Sequence, residues 1–254
     1  MATKKAGKAQ RNAGYVLHVV TASGAVVGML ALQAVIDGRV RDALVWLVVC
    51  LVLDGIDGPI ARKLDVVINA PWLSGKTLDH IVDYVTCVVV PVAFLLNLNM
   101  LPKNYETFVA GTILLTCAIW WARTDQKTED SWFTGFPCVW NFVVPTYLLL
   151  HTSPNQVAII SLVLCALQLT NIKFPHPVRS REYRKLTLFF ASIYLVAISI
   201  MSWNYTDPGA APSLVTKVIL IGMPIYIALL AIWKTWFAPK KPVKQGKKAK
   251  SRTR

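Results

Sequence analysis

Apolar stretches of membrane-spanning length recur along the whole chain, at roughly 15–36, 42–60, 77–97, 108–122, 137–152, 155–171, 186–203 and 214–236, and nothing else in the sequence limits the fold as much. Inside a bilayer every lipid-exposed backbone amide must be paired within the protein, which leaves helices and closed barrels as spanning structures. Barrel strands alternate apolar and polar positions, whereas these runs are continuous, so an all-α chain is expected. Each run reaches across a ~30 Å hydrocarbon core if the shorter ones tilt, thin the bilayer or lie inside the bundle. The expected architecture is a polytopic membrane bundle of about eight transmembrane helices.

Lysine and arginine divide unevenly between the two ends of these runs. With the N-terminal segment inside, 23 lie on that side and four, Arg39, Arg41, Lys103 and Lys217, on the other. Cytoplasmic loops retain positive charge, so both termini are expected on the cytoplasmic side. The chain then divides into a basic tail (1–14), a transmembrane unit (15–236) and a polybasic tail (237–254). The net charge of +14 collects in the tails and one loop beside the spans, which points to anionic lipid headgroups and away from nucleic acid. Lys240, Lys241, Lys244, Lys247, Lys248 and Lys250 either attract an anionic leaflet at ~1 kcal/mol per charge or only fix topology. Cys50, Cys87, Cys117, Cys138 and Cys165 fall one per apolar run with no CxxC, and read as small packing residues. The first run is too long, and too poor in a small-residue cleavage signal, to be a removable leader.

In so apolar a chain, a carboxylate at membrane depth needs a reason. Asp54-Gly55-Ile56-Asp57-Gly58-Pro59-Ile60-Ala61-Arg62 is followed, after twelve intervening residues, by Gly75, then by Asp79 and Asp83, so that four of the 13 acids sit at the ends of two apolar runs. On helices, Asp54 and Asp57 are about 60° apart and Asp79 and Asp83 about 40°, so both pairs can face one point. Four converging carboxylates repel one another unless divalent cations supply the opposite charge. Oxygen-only ligation suits Mg²⁺ or Mn²⁺, and two such ions sharing carboxylates can clamp a phosphoryl group. His80 lies about 100° from Asp79 around the helix and is expected to face another helix or the membrane boundary. Gly58, Gly75 and Ala61 let a flat group such as a nucleotide approach the backbone, or serve ordinary helix packing.

The pattern D-x2-D-G-x2-A-R, a spacer, then G-x3-D-x3-D resembles the signature of the CDP-alcohol phosphatidyltransferases, membrane enzymes with a six-helix core that displace CMP from a CDP-linked donor by an alcohol. Asp54, Asp57, Gly58, Ala61, Arg62, Gly75, Asp79 and Asp83 all match it. The resemblance implies that Asp54, Asp57 and Asp79 hold metal, with two Mn²⁺ or Mg²⁺ ions, and that Asp83 ligates and is also the catalytic base. It implies that Gly58, Ala61 and Gly75 line the cytidine of CDP-diacylglycerol, beside Asp54 and Asp79, and that Arg62 holds the diphosphate or orients Asp57. A homodimer is the family's usual state. The twelve-residue spacer, Lys63 to Ser74, is longer than is usual in the family. With eight rather than six spans, it resembles the bacterial phosphatidylcholine synthase branch, which implies a bacterial inner membrane. Thr134-Gly135-Phe136-Pro137-x2-Trp140-Asn141 and Phe174-Pro175-His176-Pro177-Val178-Arg179 are similar to segments of that branch.

The acceptor is read from its chemistry. Choline is a quaternary ammonium held by aromatic faces and a distant negative charge. Trp120, Trp121, Trp132, Phe133, Phe136, Trp140 and Tyr183 are available, with Glu129 and Asp130 close in sequence. Trp132, Phe133 and Trp140 rank first, because the Gly-Phe-Pro break beside them is tolerated at membrane depth where backbone lines a cavity. Interfacial packing is the alternative role for each of these aromatics. A glycerol or inositol phosphate acceptor would need a basic cluster, and Arg179, Arg181, Arg184 and Lys185 supply one. That same loop, Arg179 included, can instead hold the donor's diphosphate or lipid headgroups, or enforce topology. Serine is a third acceptor. The spacer and the aromatic run favour choline. A cation or proton transporter would distribute acids across the bilayer depth, whereas these cluster at one boundary.

Overall fold

The computed structural model describes residues 8–206 and 211–239. The polybasic run at 240–254 and residues 1–7 of the basic tail lie outside them. Helix α1 (Lys8–Ile36) begins within the segment expected to be tail, and α2 (Val40–Lys63) follows after a three-residue turn. Gly38, at φ +74°, takes the left-handed conformation that ends α1, and the Arg39 amide closes the turn on Ala34 O at 2.8 Å. The spacer holds a single helical turn, α3 (Val66–Asn69). Helix α4 (Gly75–Tyr84) opens on Ser74, whose hydroxyl accepts from the Thr77 amide at 3.2 Å.

Helix α4 continues through a wide π turn, Val85–Val89, into α5 (Val90–Asn97). Pro91 accounts for that turn. It has no N–H for the carbonyl four residues back, and its ring crowds that carbonyl, so widening the helix relieves both problems. Then come α6 (Glu106–Ala122), α7 (Trp140–Leu149), α8 (Pro154–Gln168), α9 (Arg184–Trp203) and α10 (Leu214–Ile232), the last extended by a wide turn at Trp233–Phe237.

Among the described residues, five helices are long and apolar enough to cross a membrane: Lys8–Ile36, Val40–Lys63, Gly75–Asn97, Arg184–Trp203 and Leu214–Phe237. The other three expected spans are helices of 17, 10 and 15 residues, α6, α7 and α8, each short of the ~20 residues a straight crossing needs, and α7 and α8 also fall short of their apolar windows. The window 137–152 is the largest correction. Residues 133–139 are committed to a strand, a glycine turn and Pro137, so the helix cannot start before Trp140. Cys138 therefore precedes α7 instead of lying within a helix; it and the other four cysteines are buried and free.

Of the shorter helices α7 is largely buried, whereas α6 and α8 keep exposed apolar faces, at Phe108 and Leu115 and at Ile159 and Val163. Leu44, Leu47, Phe94, Leu95, Ile113, Trp120, Trp140 and Ile198 make up the interior. The outward faces are apolar too: Val19, Met29, Leu214 and Val215 are exposed, and only 17% of the most apolar window of α10 is buried. Unpaired apolar surface on that scale suits lipid, not water. Small residues let α1 approach α4 closely. A Cβ on Gly24 would lie 2.8 Å from Val82 Cγ1, and one on Gly28 3.0 Å from Thr86 Cγ2.

Two polar segments are stitched together beside the bundle. Strand β1 (Phe133–Thr134) pairs antiparallel with β2 (Lys173–Phe174), Phe133 opposite Phe174. Arg123 caps the end of α8 by donating to Gln168 O at 3.2 Å and Thr170 O at 3.0 Å. Gly135 sits at φ +76°, where a Cβ would lie 2.2 Å from Gln168 O, so only glycine fits. Gly135→Ala is expected to destabilise the fold by at least ~2 kcal/mol through backbone strain and overpacking. Thermal unfolding in detergent tests this; an unchanged melting temperature would show that the contact is not tight.

Candidate active site

Helices α2 and α4 bring the motif together. Asp54, Asp57 and Asp79 each offer a carboxylate oxygen, and these oxygens all lie within 4.8 Å of one another. Asp83, one turn beyond Asp79, stands outside that group but lines the same small cavity, with Cys50, Leu53, Val82 and Thr86 as its apolar and hydroxyl walls. Helix α1 closes the cavity with Thr21 and Gly24, and the Thr21 hydroxyl donates to Asp57 Oδ2 at 2.8 Å. Thr21 is a site residue that sequence reasoning missed, because a threonine in an apolar helix carries no signal until its neighbour is known.

Three like charges this close are mutually repulsive, and one hydroxyl does not offset them. Oxygen-only donors converging from two helices fit a hard divalent cation. The surrounding charge fits an anion. Lys127 and Arg179 act electrostatically on Asp79, and Lys127 also on Asp83. Removal from water and then the Arg179 charge pull Lys127 below the ordinary lysine range, with Asp79 and Asp83 opposing. Burial, then Lys127, Arg179 and Arg62, holds His176 down at about 3, so its ring is neutral at physiological pH. A cationic rim thus stands over an acidic floor. Lys127, between α6 and β1, belongs to that rim.

The motif glycines face protein side chains. A Cβ on Gly58 would lie 3.4 Å from Arg62 Nη1, and one on Gly75 3.1 Å from His18 Cε1. Arg62 is folded back along its own helix toward Gly58. His80 packs its ring against Trp121 with centroids 4.7 Å apart, so it faces another helix as its angular position requires.

The three aromatics ranked first for an ammonium group do not share one open face. Trp132 is fully buried, and Lys234 Nζ stands 5.0 Å from its ring centroid, paired with Asp130 at 2.7 Å and Glu182 at 2.5 Å. Although burial opposes it, the Lys234 and Thr128 hydrogen bonds hold Asp130 below the usual carboxylate range. Trp140 is also fully buried, its indole N–H on Cys117 Sγ at 3.0 Å. Phe133 alone of the three is only half-buried; it stacks on His176 at 4.9 Å with an 8° interplanar angle, and Lys127 Nζ lies 5.1 Å from its centroid.

Comparison with known proteins follows the same line. The family model for CDP-alcohol phosphatidyltransferase matches residues 15–171. A phosphatidylcholine synthase of Pseudomonas aeruginosa is 32% identical over 228 residues, 87% of this chain and 92% of that protein. Proteins of the same name from Rhizobium meliloti and Borreliella burgdorferi are 35% and 31% identical, covering 83% and 87% of this chain and 87% and 94% of their own lengths. With its matched motif forming one site, the chain belongs to the CDP-alcohol phosphatidyltransferase family.

Proposed function

We propose that this chain transfers the phosphatidyl group of CDP-diacylglycerol to choline, yielding phosphatidylcholine and CMP. The observation that carries the reading is the convergence of Asp54, Asp57 and Asp79 from two helices, with Asp83 set apart on the same cavity. Its similarity over most of its length to proteins named phosphatidylcholine synthase supports choline as the acceptor.

Two ions, Mg²⁺ or Mn²⁺, held by the three clustered aspartates with Asp83, would neutralise the donor's diphosphate when bound. The chain's own residues do the rest. Arg62, Arg179 and Lys127 hold the diphosphate by charge, and Gly58, Ala61 and Gly75 line the cytidine. Asp83 takes the hydroxyl proton of choline as the choline oxygen bonds to the β-phosphorus. The bond from that phosphorus to the bridging oxygen breaks, and CMP departs with the oxygen. Thr21 keeps Asp57 oriented through its hydrogen bond.

The ammonium of choline is assigned to Phe133, the half-buried member of the three, where it would displace the Lys127 ammonium that stands 5.1 Å from the ring centroid, with the buried indoles of Trp132 and Trp140 supporting that wall. The catalytic unit is 15–236, placed in a bacterial inner membrane with the site and both termini cytoplasmic, and it works as a homodimer. The test is an acceptor panel on purified protein with labelled CDP-diacylglycerol: choline, serine, glycerol 3-phosphate and inositol, with and without divalent ion. CMP release is expected with choline and metal together. Preference for a phosphorylated acceptor would overturn the choline assignment, and no CMP release with any alcohol would overturn the reaction.

A further inference from the structure

His18 is 4% exposed, and its ring Nε2 has no hydrogen-bond partner among the described residues. A buried polar atom left unpaired is destabilising, and an apolar helix such as α1 offers leucine or alanine at no such penalty. Its position is informative. His18 lies one turn before Thr21, which bonds Asp57, and two turns before Gly24, which lines the cavity. The ring is seated against Gly75, itself one turn before Asp79. His18 and Gly75 therefore form the layer next to the acids, on the side where both α1 and α4 begin. A donor whose diphosphate meets the acid layer sends its acyl chains the other way, into the apolar length of the helices. Its nucleoside is left for the His18 layer.

We propose that His18 is a nucleoside-binding residue of the donor site, its Nε2 forming a hydrogen bond with the cytosine or ribose of CDP-diacylglycerol. This rests on the reading under Proposed function and extends it to a residue outside the aspartate motif. On this account Gly75 has two duties, to admit the nucleotide and to seat the imidazole that meets it.

The test is a cycle between enzyme and donor, run on the purified full chain. Wild type, His18→Leu and His18→Gln are assayed with CDP-diacylglycerol, its 2′-deoxycytidine analogue and its uridine analogue. His18→Leu is expected to raise the donor KM about tenfold, the loss of one hydrogen bond, with the choline KM within about twofold. One of the two analogue penalties seen with wild type should vanish in His18→Leu, because the partner is gone, and persist in part in His18→Gln. The analogues are compared on a single preparation, so a misfolded fraction cancels, and His18→Gln runs the same cycle if His18→Leu does not fold. An unchanged donor KM, equal analogue penalties in wild type and variant, or a wild type indifferent to both changes would overturn the inference while leaving the transferase reading intact. Failure of wild type to release CMP would overturn both.

Discussion

Asp83→Asn is expected to lower CMP release by roughly 10²–10⁴-fold, the usual contribution of a positioned general base, while metal-dependent CMP binding is largely retained. The reason is geometric. Asp83 shares the cavity with Asp54, Asp57 and Asp79 but stands outside the group whose oxygens gather within 4.8 Å. A residue so placed can face an acceptor hydroxyl while its neighbours hold the cation. Asparagine keeps the shape and an acceptor oxygen but cannot take the proton. Isothermal titration with CMP, set beside turnover, separates the roles. If CMP affinity falls in parallel with rate, Asp83 is chiefly a ligand.

The second large effect is expected at Asp54 and Asp79. Alanine at either should weaken divalent-ion affinity by about 10²-fold or more, since even indirect partners of a metal ligand contribute 10–100-fold, and donor binding should fall with it. The variants also carry a stability signature. Without metal, the three aspartates repel, so removing one should leave the melting temperature unchanged or raise it. Adding Mn²⁺ should stabilise wild type by binding the folded state and should do little for either variant. Equal Mn²⁺-induced shifts in wild type and Asp54→Ala would remove the shared-cation account, as would activity indifferent to chelators.

The acidic motif was legible because ionised groups in an apolar chain are costly enough to demand a function, and helical angles alone allow Asp54, Asp57 and Asp79 to face one point. His80 was legible on the same angular ground. The aromatic wall was not. Trp132 and Trp140 look like Phe133 in sequence, yet an internal ammonium already stands over one indole and the other serves the core. Both outcomes depend on contacts between segments: Lys234 lies 52 residues from Glu182, and Trp140 lies 23 from Cys117.

Span count shows the same division. Hydropathy identifies buried and lipid-facing segments alike, because both exclude water, so α6, α7 and α8 read as spans although their 17, 10 and 15 residues fall short of the ~20 a straight crossing needs. Sequence alone determined an all-α membrane bundle, a cationic side, and a carboxylate set suited to hard cations, since these follow from periodicity, composition and intrinsic chemistry. The tertiary structure decided that Asp83 stands apart from its three neighbours, that Thr21 lines the same cavity and Lys127 acts on it by charge, and that Phe133 alone of the three ranked aromatics stays half-buried. Those outcomes are set by packing between distant helices, which no local pattern encodes.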